Sequence, residues 1–285
     1  MKTYNDIYLD VRKRLKQGGI EDFSMEARLI ISAVGEKTKE EFVRDLKLYA
    51  LGNTEGRVSE LVDRRLRGEP LAYVLGEWEF MGHPIKVEPG VLIPRADTEL
   101  LAELAIRVLR AKGSAGARVL DLCCGSGCIG ISVAATALDA RVVLVDNSLA
   151  ALRIARHNCL RNSVTRNTAV IEADAMHEPP MLLGRFDIIV SNPPYVPTAE
   201  LPTLESSVRD FEPPEALDGG ADGLDFYRFI IPHWTGILRE NGCLLFECGE
   251  GQADAIEKLM RENGFVEVFR YKDGGGTERV VAGRL

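Results

Sequence analysis

The sequence predicts an α/β protein: a mostly parallel, seven-stranded sheet with a terminal antiparallel hairpin, preceded by a small helical bundle. Three observations predict it. From Arg118 onward, short apolar runs alternate with amphipathic stretches of helical length, the signature of a parallel sheet covered on both faces. Before Pro70 the apolar spacing is helical throughout. Near the end, Phe265 to Tyr271 and Glu278 to Ala282 flank Lys272-Asp273-Gly274-Gly275-Gly276, a turn that pairs its neighbours antiparallel.

Taken in order, Ile7, Val11 and Leu15 share one face of a first helix that stops at Gly18-Gly19. A second helix covers Phe23 to Val34. Thr38-Lys39-Glu40-Glu41 matches a capping box and starts a third, carrying Phe42, Leu46 and Leu48 as far as Gly52-Asn53. A fourth runs from about Arg57 to Leu66, and its basic run Arg64-Arg65-Leu66-Arg67 reads as a solvated helix face. Between Pro70 and Pro94 the pieces Leu71 to Val74, Trp78 to Met81 and Ile85 to Val87 read as short strands of a hairpin linker, and Thr98 to Leu109 as an amphipathic helix facing a sheet. Strands follow at Arg118 to Leu122, Arg141 to Val145, Thr168 to Ile171, Phe186 to Val190 and Gly242 to Phe246, with helices near Ile129 to Ala137, Leu149 to Asn162, Leu224 to Leu238 and Ala253 to Glu262. The expected domains are 1–76, helical and concerned with recognition; 77–93, the hairpin linker; and 94–285, the sheet domain.

Composition narrows the function. The formal net charge is -8, and residues 1–76 hold 14 Lys and Arg against 13 Asp and Glu, so the excess acid lies in the remainder. Such a surface opposes a long polyanion. No run of about 18 uncharged apolar residues suggests a membrane span, and the start lacks a signal-peptide pattern, so a cytoplasmic protein is expected. The six cysteines, among them Cys123, Cys124 and Cys128 around a glycine loop, lack the paired spacing of a zinc site and read as reduced, buried thiols. No metal is expected.

The chemistry concentrates at strand ends. Val119 to Leu122 runs into Cys123-Cys124-Gly125-Ser126-Gly127-Cys128-Ile129-Gly130, a strand, a glycine turn and a helix start whose spacing satisfies GxGxxG, and Asp146 ends the next strand. Read literally this is a dinucleotide fingerprint, with Asp146 on two ribose hydroxyls. Asp121 shifts the reading toward S-adenosylmethionine: a carboxylate before the glycines repels a pyrophosphate and suits a cationic amino acid moiety. Asp174, after the third strand, is placed to accept from an adenine amino group. After the fourth strand comes Asn192-Pro193-Pro194-Tyr195. Its two prolines remove two donors, leaving the Asn192 side-chain oxygen and the Pro193 carbonyl as neighbouring acceptors beside an aromatic ring, a fit for a planar NH2 group. The flat amine of adenine and a side-chain amide satisfy that geometry equally. None of His83, His157, His177 or His233 lies in a motif that suggests a base.

At this point the sequence resembles the class I methyltransferases of Rossmann-like fold, and within them the release factor glutamine methyltransferase family, over nearly the whole chain. The resemblance rests on Glu69 to Gly76, Leu92 to Arg95, Thr98-Glu99, Asp121 with Gly125-Ser126-Gly127, and Asn192 to Tyr195. Glu212-Pro213, Ala216 to Gly220, Asp222 to Leu224, Glu247 and Arg279 add to it. It implies methyl transfer from S-adenosyl-L-methionine, with S-adenosyl-L-homocysteine as product, to the N5 amide nitrogen of the glutamine in the Gly-Gly-Gln motif of peptide chain release factors. A monomer with no direct nucleic-acid or membrane partner is expected. Cofactor contacts are implied for Asp121, Gly125, Ser126, Gly127, Asp146, Asp174 and Asn192, and substrate contacts for Asn192, Pro193, Pro194, Tyr195, Arg95 and Glu99, with Asn192, Pro193 and Tyr195 at the reacting amide. The sequence departs from the family at Cys123-Cys124, where Gly-Thr is common, and at Ala96-Asp97, where Pro-Glu is usual. The readings left beside it are an adenine amino-methyltransferase, a protein that holds S-adenosylmethionine without chemistry, and a nicotinamide enzyme using the literal GxGxxG.

Overall fold

The computed structural model describes residues 2–285, which fall into two compact units: 2–77 together with Ser206–Phe211, and Trp78–Glu205 together with Glu212–Leu285.

In the first unit, helices α1 (Tyr4–Gln17), α2 (Phe23–Gly35) and α4 (Thr54–Leu66) pack against one another, with α3 (Lys39–Arg44) and α5 (Leu71–Leu75) against α2. Their shared interior is Ile7, Val11, Leu15, Ala27, Ile30, Ile31, Val58 and Val62, all buried. Thr38 caps α3 with the full capping box, its hydroxyl accepting from Glu41 N–H and Glu41 accepting from Thr38 N–H. That helix is shorter than the sequence suggests. It stops at Asp45, whose carboxylate is held by Lys37 at 2.8 Å and Arg44 at 2.7 Å, so Leu46 and Leu48 lie beyond it and Leu48 is exposed. The expected strand at Leu71 to Val74 is the helix α5. Pro70 precedes it, Gly76 ends it in the left-handed region, and Leu71, Ala72, Tyr73 and Val74 are all buried. A short run buried all round has no period to distinguish strand from helix. The basic run at the end of α4 is solvated only in part: Leu66 and Arg67 are exposed, whereas Arg64 pairs with Glu69 and Arg65 forms a two-armed pair with the buried Glu26.

The second unit opens at Trp78, within the two-stranded hairpin β1 (Glu77–Phe80) and β2 (His83–Lys86), and continues with α6 (Thr98–Lys112). Strands β3 (Arg118–Leu122), β4 (Arg141–Asp146), β5 (Thr168–Glu172), β6 (Phe186–Ser191), β7 (Leu238–Glu247), β8 (Glu267–Lys272) and β9 (Glu278–Arg284) form one sheet in the order β5-β4-β3-β6-β7-β9-β8. The first five are parallel, and β9 pairs antiparallel with both β7 and β8. This is the expected class I methyltransferase arrangement. Between strands run α7 (Cys128–Thr136), α8 (Leu149–Arg161), α10 (Asp225–Trp234) and α11 (Ala253–Glu262), while the one-turn α9 (Ser206–Arg209) belongs to the first unit. The apolar faces of β3 and β6 bury Val119, Leu120, Leu122, Ile188, Ile189 and Val190 almost completely. Among the described residues no helix is long and apolar enough to cross a membrane.

One buried polar residue ties the hairpin to the sheet. Asn158 of α8, with no exposed surface, accepts from Lys86 N–H at 2.8 Å and donates to Lys86 O at 3.1 Å and Ser126 O at 2.9 Å. Asn158→Ala strands these backbone groups in a dry environment and is expected to cost about 2–3 kcal/mol, read as a lower urea midpoint at unchanged slope.

Candidate active site

Strand β3 and strand β6 are parallel neighbours with Leu122 opposite Ser191, and Ser191 Oγ donates to Leu122 O at 2.7 Å. The glycine loop after β3 and Asn192 after β6 therefore leave the sheet side by side, at the point where the strand order reverses direction. Together they wall a cavity whose other sides come from Gly90 to Leu92, Pro94, Arg95, Thr98, Asp146 to Ser148, Ala173 to Ala175, Pro213 and Phe226.

The loop is shaped by backbone that side chains rarely adopt. Cys123 has φ +60°, Gly125 +53° and Gly127 +81°. Gly127 caps α7, and a Cβ there would lie 2.8 Å from Leu144 Cδ2, so only glycine lets α7 start this close to β4. Asp146 braces the loop from β4: one carboxylate oxygen accepts from Gly125 N–H at 2.8 Å and the other from Ser148 N–H at 2.9 Å. Asp174 accepts from Met176 N–H at 2.9 Å and lies 3.1 Å from His177 Nδ1.

On the β6 side, Asn192 Nδ2 donates to Thr98 Oγ1 at 3.4 Å, which leaves its side-chain oxygen as the free acceptor at the cavity wall. The chain leaving Tyr195 is locked by Val196 N–H to Leu217 O, Gly219 N–H to Val196 O, and Gln252 Nε2 to Tyr195 O, all within 2.9 Å. Packing there is so close that a Cβ on Gly223 would sit 2.2 Å from Tyr195 O. Tyr195 donates its hydroxyl to Glu247 Oε1 at 3.3 Å, and its ring packs on the buried cluster under the sheet. Burial and the neighbouring Glu247 hold the phenol above its ordinary range, so it stays a neutral donor.

The structure thus gathers Gly125, Ser126, Asp146, Asp174, Asn192, Pro194 and Arg95 around one cavity. The remaining expected residues stand behind its walls. Asp121 has no exposed surface and accepts from Gly130 N–H at 2.8 Å, holding the start of α7 beneath the loop, while Gly127 packs against Leu144 as the cap of that helix. Pro193 and Tyr195 form the back of the turn, and Glu99 accepts from Met81 N–H at 2.9 Å, fastening α6 to the hairpin. Arg95 pairs with the buried Glu212, which also accepts from Ile93 N–H at 3.0 Å. Thr98, Glu247 and Asn158 organise the site through contacts distant in sequence. Cys123, Cys124 and Cys128 line the cavity as free thiols, Cys128 being pushed by burial up to about 12. Among the described residues no cluster of His, Cys, Asp or Glu could hold a metal ion.

Asp146, Asp174 and Glu215 give this wall a negative cast, relieved by Arg95, while Ile129, Ala151 and Phe226 supply apolar surface. Acceptors for hydroxyl and amine groups, apolar walls and an excess of acid fit S-adenosylmethionine, a cationic nucleoside, and oppose a pyrophosphate.

Two buried acids make a pH prediction. Burial pushes Asp121 and Glu247 each up to about 7, whereas in the unfolded chain they titrate at about 3.9 and 4.3. Between those values the folded protein keeps protons that the unfolded chain has released, so these groups make stability fall as pH rises from about 4 to about 7. In the unliganded protein, Asp121→Asn should flatten that decline, measured as urea midpoints at pH 5 and pH 8.

Comparison with known proteins agrees with this geometry. Residues 6–76 match the family described as PrmC N-terminal domain, and residues 90–205 the Methyltransferase small domain. The release factor glutamine methyltransferase of Geobacter sulfurreducens is 40% identical over 282 residues, covering 96% of this chain and 94% of that protein. The release factor glutamine methyltransferase of Clostridium botulinum is 32% identical over 279 residues, covering 98% of each. In fold alone, the chain is similar to the Thermus thermophilus 16S rRNA N2 G1207 methyltransferase solved with AdoMet and guanosine, with a TM-score of 0.52, 22% identity, and coverage of 73% of this chain and 49% of that one. By its near full-length likeness to these curated relatives, with both of its domains matched, the chain belongs to the release factor glutamine methyltransferase family.

Proposed function

We propose that this protein transfers a methyl group from S-adenosylmethionine to the N5 side-chain amide nitrogen of the glutamine in the Gly-Gly-Gln motif of peptide chain release factors. The observation that carries the reading is the orientation of Asn192. Its NH2 is turned away to Thr98, and its oxygen is left at the cavity wall beside the glycine loop.

S-adenosylmethionine supplies a methyl carbon made electrophilic by its positively charged sulfonium. Asp146 and Asp174, with Gly125 and Ser126, hold that ligand in this account. An amide nitrogen is a poor nucleophile because its lone pair is delocalised into the carbonyl. In this account one amide hydrogen goes to the Asn192 oxygen and the other to the backbone carbonyl of Pro193, whose ring stands behind the wall but whose peptide joins the two wall residues Asn192 and Pro194; together they fix the nitrogen's orientation and draw electron density toward it. Catalysis is then positioning and electrostatic stabilisation, with no dedicated base. Tyr195 supports the turn from behind, with its hydroxyl on Glu247. Arg95 and Glu99 fasten the segments that border the site.

Residues 1–76 and the hairpin 77–93 are assigned to recognition of the protein substrate. The 94–285 domain carries the chemistry, and the enzyme acts as a cytoplasmic monomer. The nearly balanced charge of the first 76 residues, against the acidic remainder, suits a protein surface better than a nucleic acid.

Incubation with labelled S-adenosylmethionine and separate pools of release factor, DNA and tRNA is expected to label the release factor alone, at the motif glutamine. Label on nucleic acid would favour methylation of an adenine amine instead. Asn192→Ala should lower kcat by about 100-fold or more while changing the Kd for S-adenosylmethionine by only a few fold, measured by steady-state kinetics and calorimetry.

A further inference from the structure

Glu247 ends β7 with 1% of its surface exposed, directly behind the turn that carries Asn192. A buried acid is costly unless its oxygens are occupied, and Oε2 of this one has no completed hydrogen bond. Tyr195 donates to Oε1 at 3.3 Å, and the neighbouring Thr98 hydroxyl favours the ionised form of the same carboxyl. Thr98 is itself 2% exposed and receives the Asn192 Nδ2–H. From β9, Arg279 stabilises the carboxylate, while its guanidinium also reaches Asp273 at 3.3 Å and Asp97 at 3.6 Å. Asp97, at the head of α6, opposes ionisation. Tyr227 from α10 donates to the Glu247 backbone carbonyl at 2.8 Å, and Cys128 of α7 and the adjacent Cys248 are the remaining titratable neighbours.

We propose that Glu247 is a positioning residue for methyl transfer: as an acceptor-only carboxylate it receives both the Thr98 and Tyr195 hydroxyl hydrogens, and so sets which end of the Asn192 amide faces the substrate. A hydroxyl has one hydrogen. Once Thr98 gives its hydrogen to Glu247, its oxygen is available to accept from Asn192 Nδ2, and the Asn192 oxygen is left pointing at the cavity. A protonated Glu247 carries a hydrogen of its own and can donate it to Thr98 or Tyr195, which removes the fixed polarity of the chain. Burial raises this carboxyl to about 7, so the two forms exchange around that pH.

The inference rests on the reading of Asn192 as the acceptor for the substrate amide, and the test separates the two. Glu247→Gln preserves size and burial while replacing one acceptor with a donor. It is expected to lower kcat by between about 10- and 100-fold, with the Kd for S-adenosylmethionine by calorimetry and the KM for release factor each within about twofold. The wild-type kcat should fall as pH drops through about 7, and the variant should lose that inflection. Thr98→Val should reproduce the loss, Thr98→Ser should recover most of it, and Glu247→Gln combined with Thr98→Val should be no worse than either alone. An unchanged kcat in Glu247→Gln, a retained inflection, or additive losses in the double variant each overturn the role of Glu247. Unchanged turnover in Asn192→Ala overturns instead the reading on which it rests.

Discussion

The parallel pairing of β3 with β6, with Leu122 set against Ser191, is the constraint on which the rest of the site depends. It joins two loops that are far apart in sequence at the reversal point of the sheet. One brings backbone N–H groups and the bracing Asp146; the other brings the Asn192 oxygen. Because side chains alternate along a strand, a slip of one residue in this pairing would turn Asn192 away from the loop and send every buried side chain of β6 to the opposite face of the sheet. Burial of Ile188, Ile189 and Val190 on β6 makes that slip prohibitive, so core packing and site geometry are one requirement.

The acids near the cavity reveal a second demand. Asp121 and Glu247 are withdrawn from water and Asp146 is partly so, and each is raised by that burial. They are held chiefly by backbone N–H groups and neutral hydroxyls rather than by close cations. A stability optimum would remove or neutralise them. Their retention is understandable if the site must shape a glycine loop, receive a cationic nucleoside and present an oriented acceptor, functions that trade against the stability of the unliganded protein.

Much of this architecture is legible in the sequence, because strands buried on both faces leave near-continuous apolar runs and the helices between them leave a clear period. Ala253 to Glu262 and Arg118 to Leu122 coincide with the observed elements, and the capping box at Thr38 is present as read. Leu71 to Val74 misleads because a short segment buried on all sides has no exposed face to reveal its period. Leu46 and Leu48 mislead because Lys37 and Arg44 clamp Asp45 and stop the helix, an ending with no glycine or proline to signal it. At the site, the residues marked by glycine or proline punctuation are found together, whereas the distinction between lining and supporting is not written locally. Asp121 lies under the loop rather than in the cavity because the α7 backbone turns over it to bond its carboxylate. Thr98, Asn158 and Glu247 meet their partners only after the sheet has formed, and nothing in their immediate sequence announces those contacts.

The most direct test is a single-turnover reaction of the enzyme loaded with S-adenosylmethionine against intact release factor and against the same factor with its motif glutamine replaced by glutamate. The account predicts one methyl group on the side-chain nitrogen of the intact factor and none on the glutamate form, which has no NH2 for Asn192 to hold. Equal incorporation into both factors would contradict it.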